Sequence, residues 1–265
     1  MRKKAQQQGP SSMHLKQRIQ AIWALLFGTP ARDMRETLPT LPLPQNRPVT
    51  TKAAVDAYLD VLLADIAAYA PADVPSLILT GTMRCGKTIV ARRLARRNRL
   101  YHIPSDRLRH ATYIASDDAT KLRLVKYIYK RLLLAYPTGL VLDGTIFLDN
   151  GVTLPHWAAQ RGIGCMAIGY SHDRPWRKAQ SMIAFRNAHD CWTSHRKSDA
   201  ELRRLARKII NRSKDIKALC AANGWPYFDL DSGRFQIEKR RIVRRIERQL
   251  HASRSAPPHD GAPRL

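Results

Sequence analysis

Short apolar runs alternate with stretches of helical spacing along most of this chain. Ser76-Leu77-Ile78-Leu79-Thr80 is a run of strand type, and the following segment places positions 89, 90, 94 and 95 on one apolar helical face. Leu100-Tyr101-His102-Ile103, Gly139-Leu140-Val141-Leu142-Asp143, Cys165-Met166-Ala167-Ile168-Gly169-Tyr170 and Pro226-Tyr227-Phe228-Asp229-Leu230 read as four further strands. Helices are expected at about 87–98, 117–136, 154–161, 175–188 and 198–222, with a basic helix at about 234–250 closing the domain. Ahead of the first strand, a helix at about 51–69 carries Val55, Leu59, Leu62, Leu63 and Ile66 on its core face.

Five short strands alternating with helices predict an α/β fold of three layers, a mainly parallel five-stranded sheet covered on both faces. Residues 1–50 stand apart as a helical N-terminal extension. A polar start leads to a short helix at 15–27, and Pro30, Pro39, Pro42, Pro44 and Pro48 mark a linker. The expected organisation is an extension over 1–50, one domain over 51–250 and a disordered Pro/Ser/Ala-rich tail over 251–265.

The link between the first strand and its helix carries the chemistry. Gly81-Thr82-Met83-Arg84-Cys85-Gly86-Lys87-Thr88 reads G-x-x-x-x-G-K-T, the phosphate-binding P-loop pattern, in its required strand–loop–helix context. Backbone N–H groups and the helix N-terminus would point at phosphates. Lys87 would reach the β- and γ-phosphates of ATP, and the Thr88 hydroxyl would be a ligand of its Mg²⁺.

Ligands of parallel sheets sit beyond the carboxyl ends of the strands. Four segments of this chain reach that edge. Asp106 and Arg109 follow the second strand three residues apart, so on a helix they share a face. Asp106 would accept the proton of a substrate hydroxyl and Arg109 would fix a phosphate; a helix-capping Asp beside a solvated Arg is the alternative. Asp143 ends an apolar strand in the Walker-B manner and would hold Mg²⁺ or bind the acceptor; an Asp-Gly turn is the alternative. Arg174, Arg177, Lys178 and Arg186 follow the fourth strand, where cations would close over a triphosphate; a solvated basic helix also fits them.

Charge adds a partner to this picture. Lys plus Arg number 46 against 21 Asp plus Glu, a formal net charge of +25. Nucleic acid or an anionic membrane surface fits such a balance, as does a basic surface that serves solubility. Arg92, Arg93, Arg96, Arg97 and Arg99 lie off the apolar face of the P-loop helix, and Arg240, Arg241, Arg244, Arg245 and Arg248 repeat this on the last helix. Either row would track a phosphate backbone or stay solvated. The cysteines, Cys85, Cys165, Cys191 and Cys220, form no C-x-x-C pair, so neither a disulfide framework nor a zinc site is indicated. No apolar run approaches the ~20 residues of a membrane span. A cytoplasmic location is expected; export through Ala21–Phe27 as a signal-peptide core is the alternative.

P-loop, D-x-x-R, Walker-B acid and basic lid occur in an order that resembles small P-loop kinases: the group of polynucleotide kinases, zeta toxins and chloramphenicol phosphotransferase within the nucleoside-monophosphate-kinase-like fold. The similarity covers about residues 75–232. It implies a P-loop kinase fold, ATP and Mg²⁺ as cofactors, Asp106 as the acceptor-activating carboxylate with Arg109 beside it, and Asp143-Gly144-Thr145 as the family's D-x-T run, Asp143 and Thr145 meeting the substrate. Lid arginines would come from Arg174, Arg177 and Arg186, although the compact R-x-x-x-R form is missing. The expected activity is transfer of the γ-phosphate to a hydroxyl, with a nucleic-acid 5′-hydroxyl as the first acceptor and a small-molecule or zeta-toxin-like acceptor as its rival. A nucleic-acid-dependent ATPase and a basic adaptor with a vestigial P-loop are the readings outside the kinase class.

Overall fold

The computed structural model describes residues 52–106, 108, 118–145, 153–188 and 197–255. The expected N-terminal extension, Arg109, Cys191 and the tail from 256 lie outside the described residues. Helix α1 (Lys52–Tyr69) precedes β1 (Leu77–Gly81), α2 (Lys87–Asn98), β2 (Tyr101–Pro104), α3 (Asp118–Ala135) and β3 (Leu140–Gly144). Then come α4 (Thr153–Ala159), β4 (Gly164–Gly169), α5 (Pro175–Ala188), α6 (Asp199–Ala222), β5 (Tyr227–Asp229), a 3₁₀ turn (Ser232–Arg234) and α7 (Phe235–Ser255).

The strands form one sheet in the order β2-β3-β1-β4-β5. Every pairing between them is parallel. This is an α/β fold with a parallel five-stranded sheet and a P-loop after its central strand, and the strand pattern of the sequence anticipates it. Two ends differ from expectation. Strand β5 is only three residues long, and α7 runs on to Ser255. Ile242, Val243, Ile246 and Leu250 form the buried apolar stripe of α7, and the helix continues past them into the segment expected as tail.

The pleat sorts the layers. Ile78, Tyr101, Ile103, Leu140, Leu142 and Cys165 pack with α1, α3 and α4 in one buried cluster, and Ala167 on that same face meets Ile216 and Cys220 of α6. Leu77, Leu79 and Asp143 alternate to the other face, where α2 and α7 pack against each other. A helix that directly follows one of these parallel strands begins at the carboxyl edge of the sheet. The N-terminus of α2 therefore sits over the cleft, and its C-terminus lies at the opposite edge.

Candidate active site

The phosphate loop is held in a shape that only its glycines allow. Gly81 has φ +143°, and a Cβ there would stand 2.0 Å from the Ile168 carbonyl oxygen of the neighbouring strand. Gly86 is left-handed at φ +79°, and its Cβ would strike the Phe235 ring at 2.6 Å. Gly86 caps α2 with no side-chain hydrogen bond, so the first-turn N–H groups of α2 keep their donors for an incoming anion. Lys87 curls back over the loop, its Nζ donating to the Thr82 carbonyl at 3.1 Å.

Asp143 ties the loop to the sheet. It pairs in register with Leu79 and is buried. Its Oδ2 accepts from the Thr88 hydroxyl at 2.6 Å, and its Oδ1 lies 2.7 Å from His102 Nε2. Burial pushes the carboxyl pKa up. The hydrogen bond and charge of His102, the Thr88 hydroxyl and the charge of Lys87 outweigh it and hold the pKa below its ordinary value. Asp143 is thus a buried carboxylate kept ionised beside the P-loop threonine.

His102 is a site residue that sequence reading missed. Its strand neighbour is Val141, so it lies on the same pleat face as Asp143, one pair removed. The only signal was a polar residue inside an otherwise apolar strand. Tyr129 of α3 was missed as well. It is fully buried, and its pKa is pushed far up by burial and then by the fields of Asp143 and Asp106, with the Ser105 hydrogen bond opposing. Its hydroxyl marks where the ends of β2 and β3 converge. Asp106 itself is exposed in the helical turn that follows β2, and Thr145 is half-buried just beyond β3.

A second set of polar residues braces the loop from the α5–α6 side. Ser213 is fully buried. It donates to the Ile209 carbonyl at 2.8 Å, accepts from the Tyr170 N–H at 3.0 Å and meets the Thr82 hydroxyl at 3.3 Å. Lys178 is buried too, with Nζ donating to the Arg84 carbonyl at 3.3 Å and lying 3.5 Å from the centre of the Tyr170 ring. Burial pulls the Lys178 pKa down to about 7. Lys178 therefore supports the loop from beneath.

The lid arginines divide. Arg177 lies against the β5–α7 connection, 3.5 Å from Asp231, on the rim of a cavity of about 320 Å³ lined also by His172, Asp173, Asp229 and Glu238. The two loops around this cavity are sewn together: the Ser171 N–H donates to Asp229 at 2.7 Å, and the Ser232 N–H to Asp173 at 3.1 Å. Arg186 is engaged elsewhere. It donates to the Lys197 carbonyl at 2.8 Å and pairs with Asp199 at 2.8 Å, tying α5 to the start of α6 two helical turns beyond Lys178.

The residues fit a nucleotide with its metal ion. Arg84 Nη1 is buried beside the loop without a hydrogen-bond partner, a donor that an anionic oxygen would satisfy. Among the described residues no group of three or more His, Cys, Asp or Glu side chains forms a metal cage. Mg²⁺ that arrives with a nucleotide needs only one or two protein oxygens, which Thr88 and Asp143 offer.

No family model matches the chain, and no curated protein matches it. Solved structures do resemble it. Shikimate kinase from Bacteroides thetaiotaomicron is 14% identical with a TM-score of 0.47, over 66% of this chain and 99% of that one. A candidate kinase from Chloroflexus aurantiacus is 18% identical with a TM-score of 0.44, over 68% and 98%. Shikimate kinase from Aquifex aeolicus is 13% identical with a TM-score of 0.37, over 69% and 99%. These likenesses are remote; the fold stands on the strand order and loop geometry of the chain itself. Among the described residues no helix is long and apolar enough to cross a membrane.

Proposed function

We propose that this protein is an ATP- and Mg²⁺-dependent phosphotransferase of the cytoplasm, acting on a hydroxyl group of a small molecule. The observation that carries the reading is the 2.6 Å contact between the Thr88 hydroxyl and the buried, ionised Asp143. That pair joins a P-loop to a strand-end carboxylate, the arrangement that hard-cation phosphoryl chemistry requires.

ATP would supply the phosphoryl group, and Thr88 and Asp143 would hold the Mg²⁺ that offsets its charge. Lys87 leaves the Thr82 carbonyl to meet the β- and γ-phosphates. Arg84 and Arg177 flank the same region and neutralise charge. The cavity beside Arg177 receives the nucleoside. Asp106, exposed at the end of β2, takes the proton of the acceptor hydroxyl as its oxygen attacks; Thr145, and Arg109 beyond the described residues, complete the acceptor side.

The arginine rows bear on the acceptor. The net charge and the resemblance to polynucleotide kinases favour a nucleic-acid 5′-hydroxyl. Arg96 and Arg97 lie toward the C-terminus of α2, at the edge of the sheet away from Asp106, so this part of the rows does not lead an acceptor into the cleft. A small hydroxyl compound is the better fit.

The test is transfer of labelled γ-phosphate from ATP to a panel of sugars, nucleosides, nucleotides, sugar nucleotides and 5′-hydroxyl oligonucleotides. Label on a small molecule, lost in Lys87→Ala and Asp106→Asn, is the expected result. Label on oligonucleotide overturns the acceptor class. Label only in inorganic phosphate overturns the transferase reading.

A further inference from the structure

Helices α2 and α7 carry the same short pattern. Arg92-Arg93-Leu94-Ala95-Arg96-Arg97 and Arg240-Arg241-Ile242-Val243-Arg244-Arg245 both read R-R-x-x-R-R, with both middle residues of each buried. The i, i+1, i+4, i+5 spacing puts each set of four arginines along one side of its helix. The two helices run side by side in the same direction: Phe235 lies over Gly86 at one end, and Glu247 accepts from Arg97 at 2.6 Å near the other.

The rows therefore lie abreast. Arg93 shows how close they come: burial lowers its pKa, and Arg240, Arg96 and Arg97 lower it further. Lys239 falls to about 8 through burial and the charges of Arg93 and Arg240. The two helices hold only two acids, Glu238 and Glu247, and these answer Arg241 at 3.0 Å and Arg97 at 2.6 Å. At the end remote from the P-loop the rows border a cavity of about 540 Å³ lined by Arg97, Asn98, Arg244, Glu247, Arg248 and His251.

We propose that this ridge is a docking surface for the phosphate backbone of double-stranded nucleic acid, separate from the phosphotransfer cleft. Twin arginine rows, about 8 Å long on α2 and about 12 Å on α7 and set about 8–10 Å apart, match neighbouring phosphates of a repeating line. Among the described residues the surface has no exposed aromatic stacking platform. Among the described residues the exposed large apolar side chains on these helices reduce to Ile237, at the P-loop end. Single strands are gripped by aromatic stacking as well as charge, and amphipathic membrane helices need an inserted apolar face. Neither is present here, whereas a duplex offers its phosphates and keeps its bases stacked.

The experiment is fluorescence anisotropy of the full chain with a labelled duplex of about 20 base pairs, over a series of salt concentrations. The variant is Arg96→Gln, Arg244→Gln, Arg245→Gln and Arg248→Gln together. The charge-matched control, on α6 across the sheet, is Arg203→Gln, Arg204→Gln, Arg207→Gln and Lys208→Gln, all exposed. Thermal melts confirm that both are folded. The expected result is salt-sensitive duplex binding in wild type and control. In the α2/α7 variant the affinity falls at least about tenfold, and the salt slope becomes shallower by about 3–4. Equal losses in variant and control overturn the proposal, as does absence of duplex binding at low salt. Tighter binding of single strands, or of phosphatidylserine vesicles, overturns it in favour of another partner. Binding needs no turnover, so the phosphotransferase reading stands or falls independently.

Discussion

His102 and Asp143 meet through a 2.7 Å contact between Nε2 and Oδ1, with both side chains buried under the P-loop helix. The contact sets the charge state of the carboxylate. Without it, burial would act on Asp143 with less opposition. The folded-state pKa is depressed, so the stability contributed by Asp143 is present above its ordinary value of 3.8 and is lost as pH falls through the depressed value. His102→Ala should therefore cost about 1–3 kcal/mol near neutral pH, with the gap to wild type narrowing below about pH 4. His102→Gln keeps a donor at the same place and should recover part of the loss. Denaturant unfolding of the three proteins across pH checks this; a gap that stays constant into acid would show that Asp143 is not the partner that matters.

The hydroxyl of Thr88 has two roles that substitution separates. It donates to Asp143 in the structure and is the P-loop ligand for Mg²⁺ in the proposed reaction. Thr88→Ala should raise the Mg²⁺ concentration needed for half-maximal phosphotransfer by at least about tenfold, while Thr88→Ser should stay near wild type. Mg²⁺ titrations of initial rate provide the comparison. Equal rates for the alanine and serine variants would remove the metal from Thr88.

Much of this architecture was readable along the chain because its determinants are local. The alternation of apolar runs with 3.6-residue stripes marks strands and helices, and Gly81 and Gly86 sit where no other residue's Cβ would fit. What could not be read depends on register and on distant partners. His102 matters because β2 and β3 align it beside a residue 41 positions away, and Ser213 because α6 brings it to Thr82 across 131 positions. The lid arginines illustrate the opposite difficulty. Arg177 and Arg186 look alike in a basic helix, yet one faces Asp231 of the β5–α7 connection and the other is engaged with Asp199. Half-buried arginines take whichever acid the tertiary structure supplies, and spacing along one helix carries no record of it.

Gly86 should not tolerate alanine. Its left-handed backbone costs a Cβ-bearing residue about 1–2 kcal/mol, and the Phe235 ring 2.6 Å from the added carbon raises that cost. Pairing Gly86→Ala with Phe235→Ala removes the collision and leaves the backbone strain. The double variant should be more stable than the sum of the two single losses, by about 0.5–3 kcal/mol. Additive losses in thermal or denaturant unfolding would mean that the ring moves aside without cost.

Lys178 shares the sign of Asp143, stability rising with pH, but in a higher window and because its charged form is the disfavoured one. Burial lowers its folded-state pKa from 10.5 to about 7. Between those values the unfolded chain holds a proton that the folded chain has released, so this residue makes stability rise as pH increases from about 7 toward 10.5. Lys178→Met keeps the volume and apolar stem but removes the titration. Its stability profile should be flatter than wild type over that window, and the variant should compare most favourably below pH 7, where the buried ammonium of wild type is charged. The Arg84 carbonyl loses its donor in the same substitution, so nucleotide binding should weaken even where stability does not. Unfolding free energies measured from pH 6 to pH 10, with nucleotide titrations at each end, test both effects. Parallel profiles for wild type and Lys178→Met would mean that the amine reaches water and keeps its ordinary charge.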